Sequence, residues 1–241
     1  MLFSSPYGGL YYERGGAGDT AVVFLHGWGG STAGFAGAAR TLSAYYQTVN
    51  LDFFGHGQSE NVVYPSVAPY AEAVALLLAR LELGSVCIVA HSFGARVALY
   101  LAARHPTLVR RMVLTGAAGV RPRRGLLYRL RVARYKRLKK RGKDVTAYGS
   151  ADWRALPAEK RAAFSSLVNE DLTPLLRTVA APTLLVWGED DDAVPLRAAR
   201  IMVRRLQNAA LHVFPSGGHY AYIEYHTAFC AAIHYFFGGA A

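Results

Sequence analysis

The chain has 241 residues and a mass of 26.2 kDa, enough for one α/β domain or two smaller units. With 52% hydrophobic and 18% charged residues it is not a disordered polyelectrolyte. No apolar run approaches the ~18 residues of a bilayer-crossing helix, Ala73–Ala79 being among the longest. The formal net charge of +11 is local: twelve of the 27 basic residues fall in 121–143, which holds no acid, leaving 15 basic against 16 acidic residues elsewhere. The opening MLFSSPYGGL lacks a basic region followed by an apolar one, so it does not read as a secretory leader. Cys87 and Cys230 lack metal-ligand spacing and read as free core thiols of a reducing compartment. A cytoplasmic location is expected.

In chain order, Leu2–Phe3 and Leu10–Tyr12 flank Pro6, Gly8 and Gly9 and predict a hairpin. AVVFL at 21–25 is a fully apolar strand of the kind buried inside a parallel sheet. Residues 33–44 read as a helix and 47–53 as a strand, and 67–83 carry Ala71, Val74, Leu78 and Leu81 at helical spacing. VCIVA (86–90) is a second buried strand, followed by a helix over 94–104 and a strand over 112–115. The alternation breaks from 118 to 178, where the basic block precedes a helical stretch at 157–168. It resumes with TLLVW (183–187), a helix led by Pro195, the strand 211–214 and a last helix marked by Phe229, Ile233 and Phe236. Strands separated by helix-length connections imply right-handed βαβ units. The expected fold is α/β: a mostly parallel, doubly wound sheet from 1–117 and 179–241, with a basic helical cap inserted at 118–178.

Chemistry gathers where these strands end. VCIVA runs into His91-Ser92-Phe93-Gly94 and then a helix, which places a serine at a crowded strand–turn–helix junction with small Ala90 and Gly94 on either side. His26-Gly27-Trp28-Gly29-Gly30 follows the strand 21–25, and Asp52-Phe53-Phe54-Gly55-His56-Gly57-Gln58-Ser59 follows the next. TLLVW ends in Gly188 and the acidic run Glu189-Asp190-Asp191-Asp192, with Pro195 beyond. Gly217-Gly218-His219 follows the last strand, with Glu224 five residues on.

These five segments, taken in chain order, resemble the α/β-hydrolase superfamily, in its serine-nucleophile, esterase- or lipase-like branch. A-x-S-x-G at 90–94 stands for the nucleophile elbow G-x-S-x-G, with Ala90 departing by one methyl. The resemblance implies a Ser92–His219–Asp191 triad in the family's chain order, with Asp190 and Asp192 as alternative registers for the acid. It implies an oxyanion hole from the backbone N–H groups of Trp28 and Phe93, worth roughly 3–4 kcal/mol per donor in comparable sites. Ser92 would be the nucleophile, His219 its general base and then acid, and Asp191 the group that fixes the His219 tautomer. The implied activity is hydrolysis of a small to medium ester, thioester or lactone through an acyl-enzyme. Carbon–carbon bond or amide hydrolysis, acyl transfer and a non-catalytic ligand receptor are the alternatives. No cofactor or metal is implied, and the substrate is a small molecule.

The remaining signals have plainer readings. His26 and His91 read as structural support beside the site, His56 as a loop residue, and His105, His212, His226 and His234 share no ligand pattern. HGWGG lacks the lysine and the glycine spacing of a phosphate-binding loop. Trp28 and Phe93 are expected to wall the acyl pocket, and Tyr128, Tyr148 and Trp153 are candidates for its cap side. The basic block reads as a solvated helix docked through Leu127, Leu130, Val132 and Leu138, without the aromatic platform that nucleic-acid binding would need. Preference for an anionic substrate, or weak contact with an anionic membrane surface, is the functional use that such a block suits. Oligomeric state is left open.

Overall fold

The computed structural model describes residues 1–120, 126–143 and 150–238. Its sheet has eight strands: β1 (Leu2–Ser5), β2 (Gly8–Gly15), β3 (Ala21–Leu25), β4 (Gln47–Leu51), β5 (Val86–His91), β6 (Val109–Thr115), β7 (Thr183–Gly188) and β8 (Ala209–Phe214). Their order is β1-β2-β4-β3-β5-β6-β7-β8. β1 and β2 form the expected hairpin and β2 pairs antiparallel with β4; every pair from β4 to β8 is parallel. This is the doubly wound α/β-hydrolase arrangement.

The apolar strands are buried because helices cover both sheet faces. α2 (Ala68–Arg80), α3 (Phe93–Arg104) and α7 (Arg197–Arg205) pack on one face. α1 (Ala36–Leu42) and α9 (His226–Phe236) pack on the other, with α8 (Ala221–Glu224) joined to α9. Side chains alternate accordingly: Val23 and Leu25 of β3 face the first layer, Val22 and Phe24 the second. β3 and β5 therefore read as near-continuous apolar runs, whereas β4 also buries Thr48 and Asn50. The single helix expected over 33–44 is instead a 3-10 turn (Thr32–Phe35) followed by α1. Gly34 and Gly37 weaken a regular α-helix there, while Asp52 Oδ1 accepts the Thr32 N–H at 2.6 Å and fixes the start.

Between β6 and β7 lie α4 (Leu126–Lys140), α5 (Ala151–Ala155), α6 (Ala158–Asn169) and a 3-10 turn, Thr173–Thr178. α6 is tied to the sheet domain at its C-terminal end. Buried Arg96 of α3 donates to the carbonyls of Leu167 and Glu170, and the Glu170 carboxylate accepts the Val67 N–H at 2.8 Å. One docking expectation needs correction: Leu130 is 57% exposed, so it does not hold α4 to the body. Val132 and Leu138 are half-buried, and the Leu127 side chain lies outside the described residues.

Candidate active site

Connections at the carboxyl ends of the parallel strands meet beside β3, where strand order reverses. That edge is where open α/β sheets bind ligands. β5 ends in His91, Ser92 turns the chain at φ 48°, ψ −105°, and α3 begins at Phe93. A non-glycine residue in that region carries ~1–3 kcal/mol of strain. The turn is held from both sides: the Ser92 N–H donates to the Thr115 carbonyl at 3.0 Å, and the Ser92 carbonyl accepts the Ala118 N–H at 3.1 Å. Gly94 is required next to it, because a Cβ there would stand 2.1 Å from the Leu25 carbonyl oxygen. Ala90 faces no such contact; it is fully buried between Leu25 and Leu114 and accommodates its methyl.

The Phe93 N–H is among the first amides of α3, which have no intrahelical acceptor. Trp28 follows β3, and its ring meets that of Phe93 edge-on at 5.4 Å. The two residues expected to donate to an oxyanion are thus neighbours.

His219, beyond β8, donates through Nδ1–H to Asp191 Oδ2 at 2.8 Å. The other Asp191 oxygen accepts the N–H groups of Ala193 and Val194 at 3.0 and 2.8 Å. Asp190 and Asp192 are exposed, and Asp191 is the member of the acidic run that turns inward. Gly116, after β6, leaves room for this pair: a Cβ on it would stand 3.0 Å from the His219 ring and 3.3 Å from Asp191 Oδ2. Glu224 accepts the Gly218 N–H at 2.9 Å, bracing the loop that carries His219.

His91 links the elbow to that loop. Its Nε2–H donates to the His219 carbonyl at 3.1 Å, and its ring lies 4.6 Å from the His219 ring. Burial, with the nearby His219 adding to it, lowers His91 from 6.5 to about 3, so it stays neutral. His26 is also neutral, lowered by burial to about 4. Its Nδ1–H donates to the Gly27 carbonyl at 2.7 Å and its Nε2 accepts the Phe53 N–H at 2.9 Å. Burial lowers His56 too, and its ring packs against Trp28 at 4.6 Å.

The insertion between β6 and β7 contributes an unexpected residue, Phe164 of α6, whose ring lies 4.6 Å from Trp28. Nothing local in the sequence marks Phe164, since its role depends on how α6 crosses the sheet edge. Trp153 instead works within the insertion, where its indole N–H donates to Ser165 at 3.0 Å and its ring takes the Arg161 guanidinium at 4.7 Å. Tyr148 and the Tyr128 side chain lie outside the described residues. The outlying histidines pair separately, His105 with Glu72 and His234 with Tyr46. Among the described residues no group of three or more His, Cys, Asp or Glu is placed to hold a metal ion.

The sequence profile of the alpha/beta hydrolase family matches residues 22–232. The chain belongs to this family. The hydrolase is 29% identical over 252 residues to the 2-hydroxy-6-oxononadienedioate/2-hydroxy-6-oxononatrienedioate hydrolase of Paraburkholderia xenovorans, covering 91% of this chain and 87% of the relative. Its fold is shared with a meta-cleavage product hydrolase from Pseudomonas fluorescens IP01 (TM-score 0.75, 22% identity, 98% of this chain and 97% of that one). It is shared equally with an esterase from Exiguobacterium antarcticum (TM-score 0.78, 20% identity, 98% of each chain). The fold of this hydrolase is therefore common to enzymes that break different bonds. No helix among its described residues is long and apolar enough to cross a membrane.

Proposed function

We propose that this hydrolase cleaves a small-molecule carbonyl substrate through an acyl-enzyme on Ser92. The observation that carries the reading is the His219–Asp191 hydrogen bond beside a serine held at a strained turn. With Nδ1–H committed to Asp191, the His219 Nε2 is left to take the Ser92 proton as Oγ attacks the carbonyl. The tetrahedral oxyanion would sit against the Trp28 and Phe93 N–H groups. Collapse breaks the scissile bond, and the leaving group takes the proton from Nε2. Water then attacks the acyl-enzyme, gives its proton to Nε2, and Ser92 recovers it as the acid leaves. Trp28, Phe93 and Phe164 would wall the acyl side and favour an apolar acyl group.

Two leaving groups suit this machinery. An ester, thioester or lactone departs as an oxygen or sulfur anion that one proton neutralises. The relative from Paraburkholderia, named for an oxo-dienedioate, favours the second reading, carbon–carbon cleavage beside a ketone, where the substrate itself must delocalise the departing carbanion. A p-nitrophenyl ester series and 2-hydroxy-6-oxononadienedioate, assayed with wild type and Ser92→Ala, separate these. Ester turnover with little dienedioate consumption supports the first reading, and the opposite pattern supports the second. In either case Ser92→Ala is expected to lower kcat by ~10⁴ or more. Undiminished turnover in that variant would remove the serine mechanism.

A further inference from the structure

The segment that carries the excess charge forms a helix with two unlike sides. Val132, Tyr135 and Leu138 of α4 are half-buried at spacings of three residues, which turns that side toward the protein. Around the opposite side Arg134, Lys136, Arg137, Lys140 and Arg141 are all exposed, with Leu130 exposed one turn before Arg134. Among the described residues none of these five cations is ion-paired. Like charges three and four residues apart on one helix repel each other. A surface that supplies negative charge relieves that repulsion.

We propose that this side of α4 docks the protein on an anionic phospholipid surface. The cations fan out over an exposed helix side and do not converge on a point, which suits a plane of headgroups better than one small anion. Lys and Arg stems can lie along the headgroup layer while Leu130 enters the acyl boundary. No aromatic ring interleaves the cations on this side among the described residues, so the stacking platform of single-stranded nucleic-acid binding is lacking. An acidic membrane attracts such a cluster over about 8–10 Å at ordinary salt. The docking is independent of the chemistry at Ser92, and its test does not use turnover.

Sedimentation with phosphatidylcholine vesicles, with and without phosphatidylglycerol, tests this on the full chain. Binding is expected only where phosphatidylglycerol is present, with the bound fraction falling about tenfold between low salt and ~0.5 M salt. The triple variant Arg134→Glu, Arg137→Glu, Lys140→Glu is expected to lose binding while keeping the wild-type circular dichroism spectrum. Should that variant unfold, the triple glutamine variant at the same positions is expected to bind about tenfold less. Leu130→Ser is expected to weaken binding several-fold. Equal binding to neutral vesicles, no binding to anionic ones at low salt, or full binding by the folded charge variants would overturn the proposal. So would capture by duplex DNA or polyglutamate without capture by vesicles, which would assign the side to a macromolecular polyanion.

Discussion

Asp191 divides its two oxygens between jobs: Oδ2 meets His219, and Oδ1 accepts two backbone amides. The amides fix the carboxylate, so the carboxylate can fix the imidazole. Asp190 and Asp192 lie within one residue of it, yet both face solvent. Asp191→Asn is accordingly expected to lower kcat by ~10⁴, because the amide favours the wrong His219 tautomer. Asp190→Asn and Asp192→Asn are expected to stay within about threefold of wild type. Steady-state kinetics on the three variants tests the assignment; a comparable loss in either neighbour would move the acid to that position. In the sequence, the resemblance to the α/β-hydrolases points to Asp191, with Asp190 and Asp192 as alternative registers. Which oxygen turns inward depends on the local turn that caps Ala193 and Val194.

α6 brings Phe164 onto Trp28, and Arg96 holds the end of α6 through two carbonyls. A guanidinium suits that place because the last carbonyls of a helix have no intrahelical donor and carry its negative pole. Phe164→Leu shortens the wall while keeping most of the buried volume. We expect KM for short-chain p-nitrophenyl esters to rise at least threefold with kcat nearly unchanged, and longer or branched acyl groups to gain in relative kcat/KM. An unchanged chain-length profile would show that Phe164 only fills space between α6 and the sheet. α6 itself is legible from the sequence almost to its ends, whereas α5 and α8 are missed. Both span five residues or fewer, too short for a helical period to show.

Across the whole molecule, two buried neutral histidines make stability depend on pH. His26 and His91 titrate at about 4 and 3 when folded, against 6.5 for the free side chain. Between those values the unfolded chain binds more protons than the folded one. Their contribution to stability is therefore complete above pH ~6.5 and is lost as pH falls toward 4 and 3, at ~1.4 kcal/mol per pH unit for each histidine. Urea midpoints measured at pH 7.5, 6 and 5, across the upper part of this window, are expected to fall steadily. His91→Gln, whose amide can still reach the His219 carbonyl, is expected to show a shallower decline. A variant slope equal to that of wild type would argue that His91 is not held neutral.

The sequence by itself determined the parallel sheet, because its central strands β3 and β5 are buried on both faces and read as apolar runs. It also determined the serine elbow, where the close approach of Leu25 to position 94 admits only glycine. Resemblance to the α/β-hydrolases was enough to mark His219 and to place the acid at Asp191 within the acidic run. The tertiary structure alone decided that His91 bridges two loops 128 residues apart and that Phe164 closes on Trp28. It also turned Leu130 outward, reversing the docking read from composition. These are contacts between elements distant in the chain, and a local pattern of side chains records which face is apolar without recording what that face will meet.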